Sequence, residues 1–356
     1  MSGYIVERWT RQSRIFSGAI IALLLLLAAG PAIFPPGVTD RLTTLFIYII
    51  IAAMWNALAG YGGLVSIGQQ LFIGLGGYAL IRLSNAGISL YPALLLAILL
   101  VGLAALPLGE LMLRLRGGEF AIGMWVLAEL AHFTITLDPL IQGETGTSLL
   151  ALNAFAPAAR RADTYWMGLA LMVALLGILF LLLRGKTGAG IQAIRDDEIA
   201  AASVGVQVHN GKRVMFVLAA IGCAAAGAVN LASTISFQPH AFFGIQWTAY
   251  MLFMALVGGL GTFEGPIIGA ILFFAMETFF GATGVAYLIG LGVVALVFAL
   301  FIPRGIWGEL EARFGLRLLP VGYLLKEARP GALPLDPAGR SAPRPAKLRA
   351  PAGRST

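Results

Sequence analysis

Charged residues are scarce in this sequence. Asp, Glu, Lys and Arg together make up 12% of its 356 residues, about half the share in an ordinary soluble domain. Cysteine is nearly absent. Cys223 stands alone in an apolar run, which excludes an intrachain disulfide and a thiolate metal cluster. The three histidines, His132, His209 and His240, lie far apart without metal-ligand spacing, so neither a metal nor another cofactor is expected. No nucleophile–base constellation stands out, which disfavours an intramembrane hydrolase. Gly185-Lys186-Thr187 has the ending of a phosphate-binding loop. That motif, however, needs glycine where the chain has Phe180, and an apolar helix precedes it rather than a strand. The chain is not expected to be an enzyme or to bind ATP itself.

What is present is apolar. Hydrophobic residues make up 59% of the chain and the mean hydropathy is +0.87, which predicts an all-α, polytopic integral membrane protein. Ten hydrophobic segments are expected: Ile15 to Phe34, Leu42 to Ala59, Gly62 to Leu83, Tyr91 to Leu113, Phe120 to Leu137, Thr164 to Leu183, Val214 to Ser236, Trp247 to Val257, Ile267 to Phe280 and Val285 to Ile302. The first follows Arg8, Arg11 and Arg14 as a signal peptide would, but its length suits a membrane span better. The third is glycine-rich and interrupted, and the eighth is short. Residues 1–14 and 303–356 flank this membrane region. The tail after about Pro330 is rich in Pro, Ala, Gly and Arg, has no apolar face, and is expected to be disordered.

An even number of crossings puts both ends on one side, and the basic residues test this. With the N-terminus cytoplasmic, all of the 24 Lys and Arg residues except Arg41, Arg82, Arg160 and Arg161 fall on the cytoplasmic side. The net charge of +7 therefore reports orientation in a lipid bilayer, and nucleic acid is not needed to explain it.

The longest polar interruption with helix signals runs from Arg184 to Arg213. Asp196 suits an N-cap, Asp197 and Glu198 the first turn, and Gly205 a left-handed C-terminus. The helix between them would be about 12 Å long, with Ala200, Ala201 and Ala202 leaving it bare enough to slot into another protein. Glu198, Ala200, Ala201 and Gly205 form E-x-A-A-x-x-x-G, similar to the short cytoplasmic helix by which ABC-transporter membrane subunits dock on their ATPase. The fuller stretch AIRDDEIAAASVGVQV resembles the M-type membrane subunits of branched-chain amino acid permeases. The resemblance implies ATPase-coupling roles for Arg195, Asp196, Asp197, Glu198, Ala200, Ala201 and Gly205.

A second motif runs from Asn56 to Tyr78, with Gly60, Gly62, Gly63, Gly68 and Gly74 beside Ser66, Gln69 and Gln70. Unwound backbone in lipid would leave amides unpaired, so such a stretch belongs where it lines a cavity. Close packing of helices through small residues is the alternative. The adjacent glutamines favour a polar pathway that includes Asn56, Ser66, Gln69 and Gln70. Asn56, Gly60, Tyr61, Gly63, Ser66, Gly68, Gln69, Phe72, Gly74, Gly76 and Tyr78 match the M-type permease pattern, whereas Gln70 departs from its usual small residue. A third stretch, Gly258 to Ala270, is similar to the family's G-G-x-G-[ST]-x-x-G-P-x-x-G-A and echoes Gly62-Gly63-Leu64. Segment parity puts both glycine pairs on the same side, which a simple inverted repeat would not do. Gly143 to Leu149 matches more weakly.

Glu129 and His132 share a face of the fifth segment, and Glu110 and Glu277 also lie in or near apolar runs. Glu129 joins the pathway candidates. A Glu–His pair could relay protons in a secondary carrier or bond neighbouring helices, and the second role is preferred. Taken as a whole, the resemblance implies a permease subunit importing amino acids, branched-chain ones first, across a bacterial inner membrane. It also implies a second homologous permease subunit, two cytoplasmic ATPase subunits and an extracytoplasmic solute-binding protein. The alternatives are a urea or short-amide importer of the same design and a proton-coupled carrier.

Overall fold

The computed structural model describes residues 4–7, 11–150, 152, 155–315, 318–319, 321 and 324–327. The tail expected to be disordered lies outside the described residues. In chain order the helices are α1 (Arg11–Ala28), α2 (Gly30–Ile33), α3 (Pro36–Asn56), α4 (Gln70–Asn85), α5 (Leu90–Met112), α6 (Gly118–Thr136), α7 (Pro157–Arg184) and α8 (Lys186–Asp196). They continue as α9 (Glu198–Ser203), α10 (Val208–Thr234), α11 (Pro239–Phe243), α12 (Gln246–Gly258), α13 (Gly265–Phe280), α14 (Val285–Phe301) and α15 (Gly305–Phe314). The strands are β1 (Tyr4–Glu7), β2 (Thr147–Ser148), β3 (Ser236–Phe237) and β4 (Leu324–Glu327), with β1 antiparallel to β4 and β2 antiparallel to β3. The β1–β4 pair brings the two ends of the described chain together.

Among the described residues, 7 helical stretches are long and apolar enough to cross a membrane: Pro36–Tyr61, Leu90–Met112, Pro157–Arg184, Val208–Thr234, Pro239–Gly258, Gly265–Thr283 and Val285–Phe314. The other three predicted segments coincide with α1, α4 and α6. The apolar part of α1 is the shorter helix Ser13–Ala28. With 16 residues, α4 spans about 24 Å, less than a hydrocarbon core of about 30 Å. It is short because the first part of its predicted segment is not helical.

α3 and α10 form the centre. α10 can be enclosed because its middle, Gly222 to Gly227, reads GCAAAG and carries no bulky ridge. Small residues let backbones approach. A β carbon at Gly76 of α4 would collide with the Ala224 carbonyl, and one at Gly227 of α10 with the Ile73 carbonyl. The outer helices instead present apolar rows at helical spacing to the exterior: Leu95, Leu99 and Leu103 on α5, Ile122, Val126, Leu130 and Phe133 on α6, and Val293, Leu296 and Leu300 on α14. So much exposed apolar surface suits lipid or a partner subunit, not water.

The ion pairs fall in two bands. At the end that carries α8 and α9, Glu110 meets His209 at 3.0 Å and Arg213 at 3.1 Å, and Glu198 meets Lys212 at 2.6 Å. At the far end, Asp138 meets Arg82 at 2.8 Å, Asp40 meets Arg161 at 2.9 Å, and Glu144 meets His132 at 3.0 Å. Burial pushes the Asp138 carboxyl up, but the Tyr78 hydroxyl, the Leu140 amide and Arg82 outweigh it and hold it below the ordinary aspartate range. The far-end loop is thereby pinned to α4.

Charge-bearing bands at opposite ends predict opposite accessibility. Cysteines introduced at Ala202 and Ala158, both exposed, in a Cys223→Ser background should react with an impermeant thiol reagent from opposite sides of the membrane. Labelling of both from one side would overturn the orientation. Ala201 is a poorer probe site because it is buried.

Candidate coupling and translocation site

The segment that begins as α3 does not continue as regular helix. Past Asn56 it widens into a π-helical turn, Ala57–Tyr61, in which the Gly62 amide reaches the Ala57 carbonyl at 3.1 Å. The Leu64 amide then bonds the Leu58 carbonyl at 3.0 Å. In an α-helix that amide would bond Gly60, so the Gly60 carbonyl is released. From Gly62 to Gly68 the chain is unwound, with Gly63 at φ 68°, a conformation glycine adopts without strain. The Trp55 indole donates to the Ser66 carbonyl at 2.9 Å, and the Ser66 hydroxyl accepts from the Gly68 amide at 3.2 Å. A β carbon at Gly68 would collide with the Met124 carbonyl of α6. The glycines after Gln70 have a different task. Gly74 packs on the Phe243 ring and Gly76 on α10, so unwinding and close packing both occur, in successive parts of one motif.

The second break lies between α12 and α13. Gly259 and Gly261 have φ of 135° and 77°. The Thr262 hydroxyl donates to the Gly259 carbonyl at 2.7 Å and accepts from the Gly265 amide at 3.2 Å, and Pro266 sits in the first turn of α13. Glu264 accepts from the Leu319 amide at 2.7 Å. Burial pushes the Glu264 carboxyl up, partly offset by that amide.

These two breaks touch. The Asn56 side chain accepts from the Gly261 amide and donates to the Thr262 carbonyl, both at 2.8 Å. A β carbon at Gly60 would lie 2.6 Å from the Gly261 nitrogen. The same-side placement expected from parity is therefore a direct contact. Both polar atoms of the Asn56 amide are committed to the second break. Gln69 and Gln70 are fully buried. The Gln69 Oε1 faces the Cys223 thiol of α10 at 3.8 Å, and the Gln70 Oε1 accepts from the Thr248 hydroxyl of α12. Neither Nε2 has a protein acceptor among the described residues.

The Arg184 to Arg213 stretch holds two helices, not one. α8 was not anticipated. It buries Ile191 and Ile194 and ends at Asp196. Asp197, not Asp196, is the N-cap of α9: its backbone is extended (φ −156°, ψ 110°), and its carboxylate accepts from the Ile199 and Ala200 amides at 2.9 Å. At the other end the Gly205 amide bonds the Ala202 carbonyl and the Val206 amide the Ala201 carbonyl, both at 3.0 Å, with Gly205 at φ 88°. This is the glycine-terminated ending expected from the sequence. The alanine run is not uniformly outward: Ala201 is buried, whereas Ala200 and Ala202 are exposed. The bulky exposed side chains are Ile199, 83% exposed, and Val204 at the C-cap, 78% exposed. A cavity of about 530 Å³ lies beside the helix, between it and Arg116 and Val208. Asp196 is exposed and accepts from Arg195.

Glu129 stands apart, near the far end. It lies 3.4 Å from His132 Nδ1, and the other ring nitrogen lies 3.0 Å from Glu144. The His132 ring stacks on Phe133 and Phe243. Glu277 accepts from the Tyr48 hydroxyl at 2.8 Å.

The family described as "Branched-chain amino acid transport system / permease component" matches residues 38–302. That span contains both breaks and the α8–α9 loop. The chain belongs to this family. Among curated relatives, this permease is 26% identical over 315 residues to the high-affinity branched-chain amino acid transport system permease protein LivM of Escherichia coli (strain K12), covering 81% of this chain and 74% of the relative. The same protein of Salmonella typhimurium is 25% identical over the same length. The probable branched-chain amino acid transport permease protein LivM of Methanocaldococcus jannaschii is 24% identical over 269 residues, covering 64% of this chain and 76% of the relative. No solved structure matches the permease.

The break-to-break contact can be tested by stability. Asn56→Ala leaves the half-buried Gly261 amide and Thr262 carbonyl without this partner, at a cost of up to about 1–3 kcal/mol each. It should lower the melting temperature of the detergent-solubilised permease clearly. In the same assay Gly68→Ala should be severe and Gly177→Ala near neutral, since a β carbon at Gly177 meets nothing within 4 Å. Equal effects at the two glycines would contradict the packing described.

Proposed function

We propose that this chain is a membrane-spanning permease subunit of an ATP-binding-cassette importer for branched-chain amino acids in a bacterial inner membrane. In this reading it crosses the membrane ten times, with both ends cytoplasmic. It forms the pathway with a second, homologous permease subunit. Two cytoplasmic ATPase subunits hydrolyse the ATP, and an extracytoplasmic binding protein delivers the solute. Support comes from the family and from the branched-chain amino acids named for its relatives. The single observation that carries the coupling role is α9. It is a short helix with both termini internally capped, so it holds its shape without a neighbour on its free face. It also presents Ile199 and Val204, two large apolar side chains that water does not stabilise.

Docking into an ATPase groove would bury both side chains, and closure of the ATPase pair would then move α9. The passage would run past Gln69 and Gln70, beside Asn56 and Ser66, with Glu129 nearer the outer end. Neutral amides suit such a route. They offer hydrogen bonds to a zwitterion that is losing water, without a fixed charge that would trap it.

Two measurements on the reconstituted complex test this. Gly205→Trp puts bulk at positive φ beside the docking face, a strain of order 1 kcal/mol or more before any clash. It should leave the subunit inserted and abolish substrate-stimulated ATP hydrolysis. Wild-type stimulation in that variant would refute the docking role. Gln70→Leu should slow uptake per assembled complex while assembly is preserved. A loss of assembly with normal transport per complex would make the glutamine a packing residue instead.

A further inference from the structure

One side chain of the α8–α9 loop reaches into both helix breaks. Arg195 lies in the last turn of α8, two residues before the N-cap of α9. Its Nη1 donates to the Gly60 carbonyl at 2.8 Å, the carbonyl released by the π turn. Its Nε and Nη2 both donate to Asp196 Oδ1, at 3.0 and 2.8 Å, which fixes the plane of the guanidinium. The fit around it depends on glycine on two sides. A β carbon at Gly261 would lie 3.0 Å from Nη1, and one at Gly63 would lie 3.4 Å from the Arg195 Cα. From Gly60 the first break passes to Asn56, whose amide grips Gly261 and Thr262. Coupling loop, first break and second break are thus joined through one guanidinium and one amide.

We infer that Arg195 is a positioning residue that transmits displacement of the α9 coupling helix to the paired breaks beside the passage. The inference rests on the proposed docking of α9 to the ATPase. α8 has the form of a lever. Its Ile191 and Ile194 pack against Gly211 at the start of α10, and its far tip carries Arg195. Asp197, a single extended residue, separates the two helices, so a push on α9 reaches that tip over a very short path. Stability is not the reason for the arginine. The side chain is 37% exposed, and an ion pair with its immediate neighbour at such a site contributes little. What the guanidinium supplies is a planar fork that holds two oxygens at once. A lysine ammonium could reach Gly60 but would lack the fixed plane.

The test uses the complete importer in proteoliposomes, with substrate-loaded binding protein. In Arg195→Gln the ATPases should still co-purify with the membrane subunits. Uptake per ATP hydrolysed should fall roughly tenfold or more, in the range of ordinary coupling energies. Arg195→Lys should recover part of that loss, which separates positioning from simple folding. Wild-type uptake per ATP in Arg195→Gln, or equal failure of both variants through loss of assembly, would overturn the inference. Ile199→Glu serves as the second arm and should strip the ATPases from the complex. If it does so while Arg195→Gln couples normally, the relay falls and the docking reading stands. If Ile199→Glu leaves the ATPases bound and stimulated, the docking reading falls and the relay falls with it.

Discussion

Every break in a membrane-embedded helix must find new partners for the backbone groups it releases, because lipid offers none and each unpaired group costs several kcal/mol. The architecture around the two glycine motifs follows from that constraint. The π turn at Ala57–Tyr61 redirects the Gly62 and Leu64 amides. Trp55 takes up the Ser66 carbonyl, and Ser66 takes up the Gly68 amide. Asn56 supplies an acceptor and a donor to the second break. The Thr248 hydroxyl takes up the Ile67 carbonyl, and a guanidinium from the polar loop answers the Gly60 carbonyl. The breaks are stable because they share partners, and so they are expected to move together.

Glycine has two separate uses here, and the difference bears on the mechanism. In α4 and α10 it removes side chains so that backbones can meet, as at Gly76 and Gly227. At Gly63, Gly259 and Gly261 it permits positive φ, and the chain can change direction there. Rigid helices joined at compact turns are the arrangement in which a displacement at one end reaches the other without being absorbed. The break-to-break contact lies at the α8–α9 end, whereas the Arg82–Asp138 and His132–Glu144 pairs tie the opposite end. Movement driven from α9 would therefore meet the turns first and the outer ties last.

Much of this was legible in the sequence, and the parts that were not share a cause. Apolar runs located the helices because lipid demands them. Glycine clusters marked the breaks, since few other residues tolerate those φ values, and Gly205 marked the end of α9 for the same reason. Local alternatives were harder. Asp196 and Asp197 are adjacent acids that suit an N-cap equally well by type, and only the extended backbone at Asp197 decides between them. α8 was missed because Gly188 and Gly190 weaken its pattern, although Ile191 and Ile194 recur at helical spacing. Contacts across the chain left no signal at all. Nothing in the neighbourhood of Arg195 points to Gly60, 135 residues away, and nothing near Asn56 points to Thr262.

The polar residues of the first break, alike on composition, separate once their partners are known. Asn56 spends its oxygen and its nitrogen on the second break, and Ser66 turns its hydroxyl to the Gly68 amide. Gln69 and Gln70 differ, because each places its oxygen on a neighbouring helix while its Nε2 keeps no protein acceptor among the described residues. A buried donor without a partner costs about 1–3 kcal/mol. A structural amide would be expected to avoid that cost, as Asn56 does. Two such donors side by side, on the first turn after the break that Arg195 grips, are placed to meet a carboxylate or carbonyl oxygen. Within the proposed passage, the glutamine pair is therefore the better candidate for solute contact, and Asn56 the better candidate for holding the two breaks together.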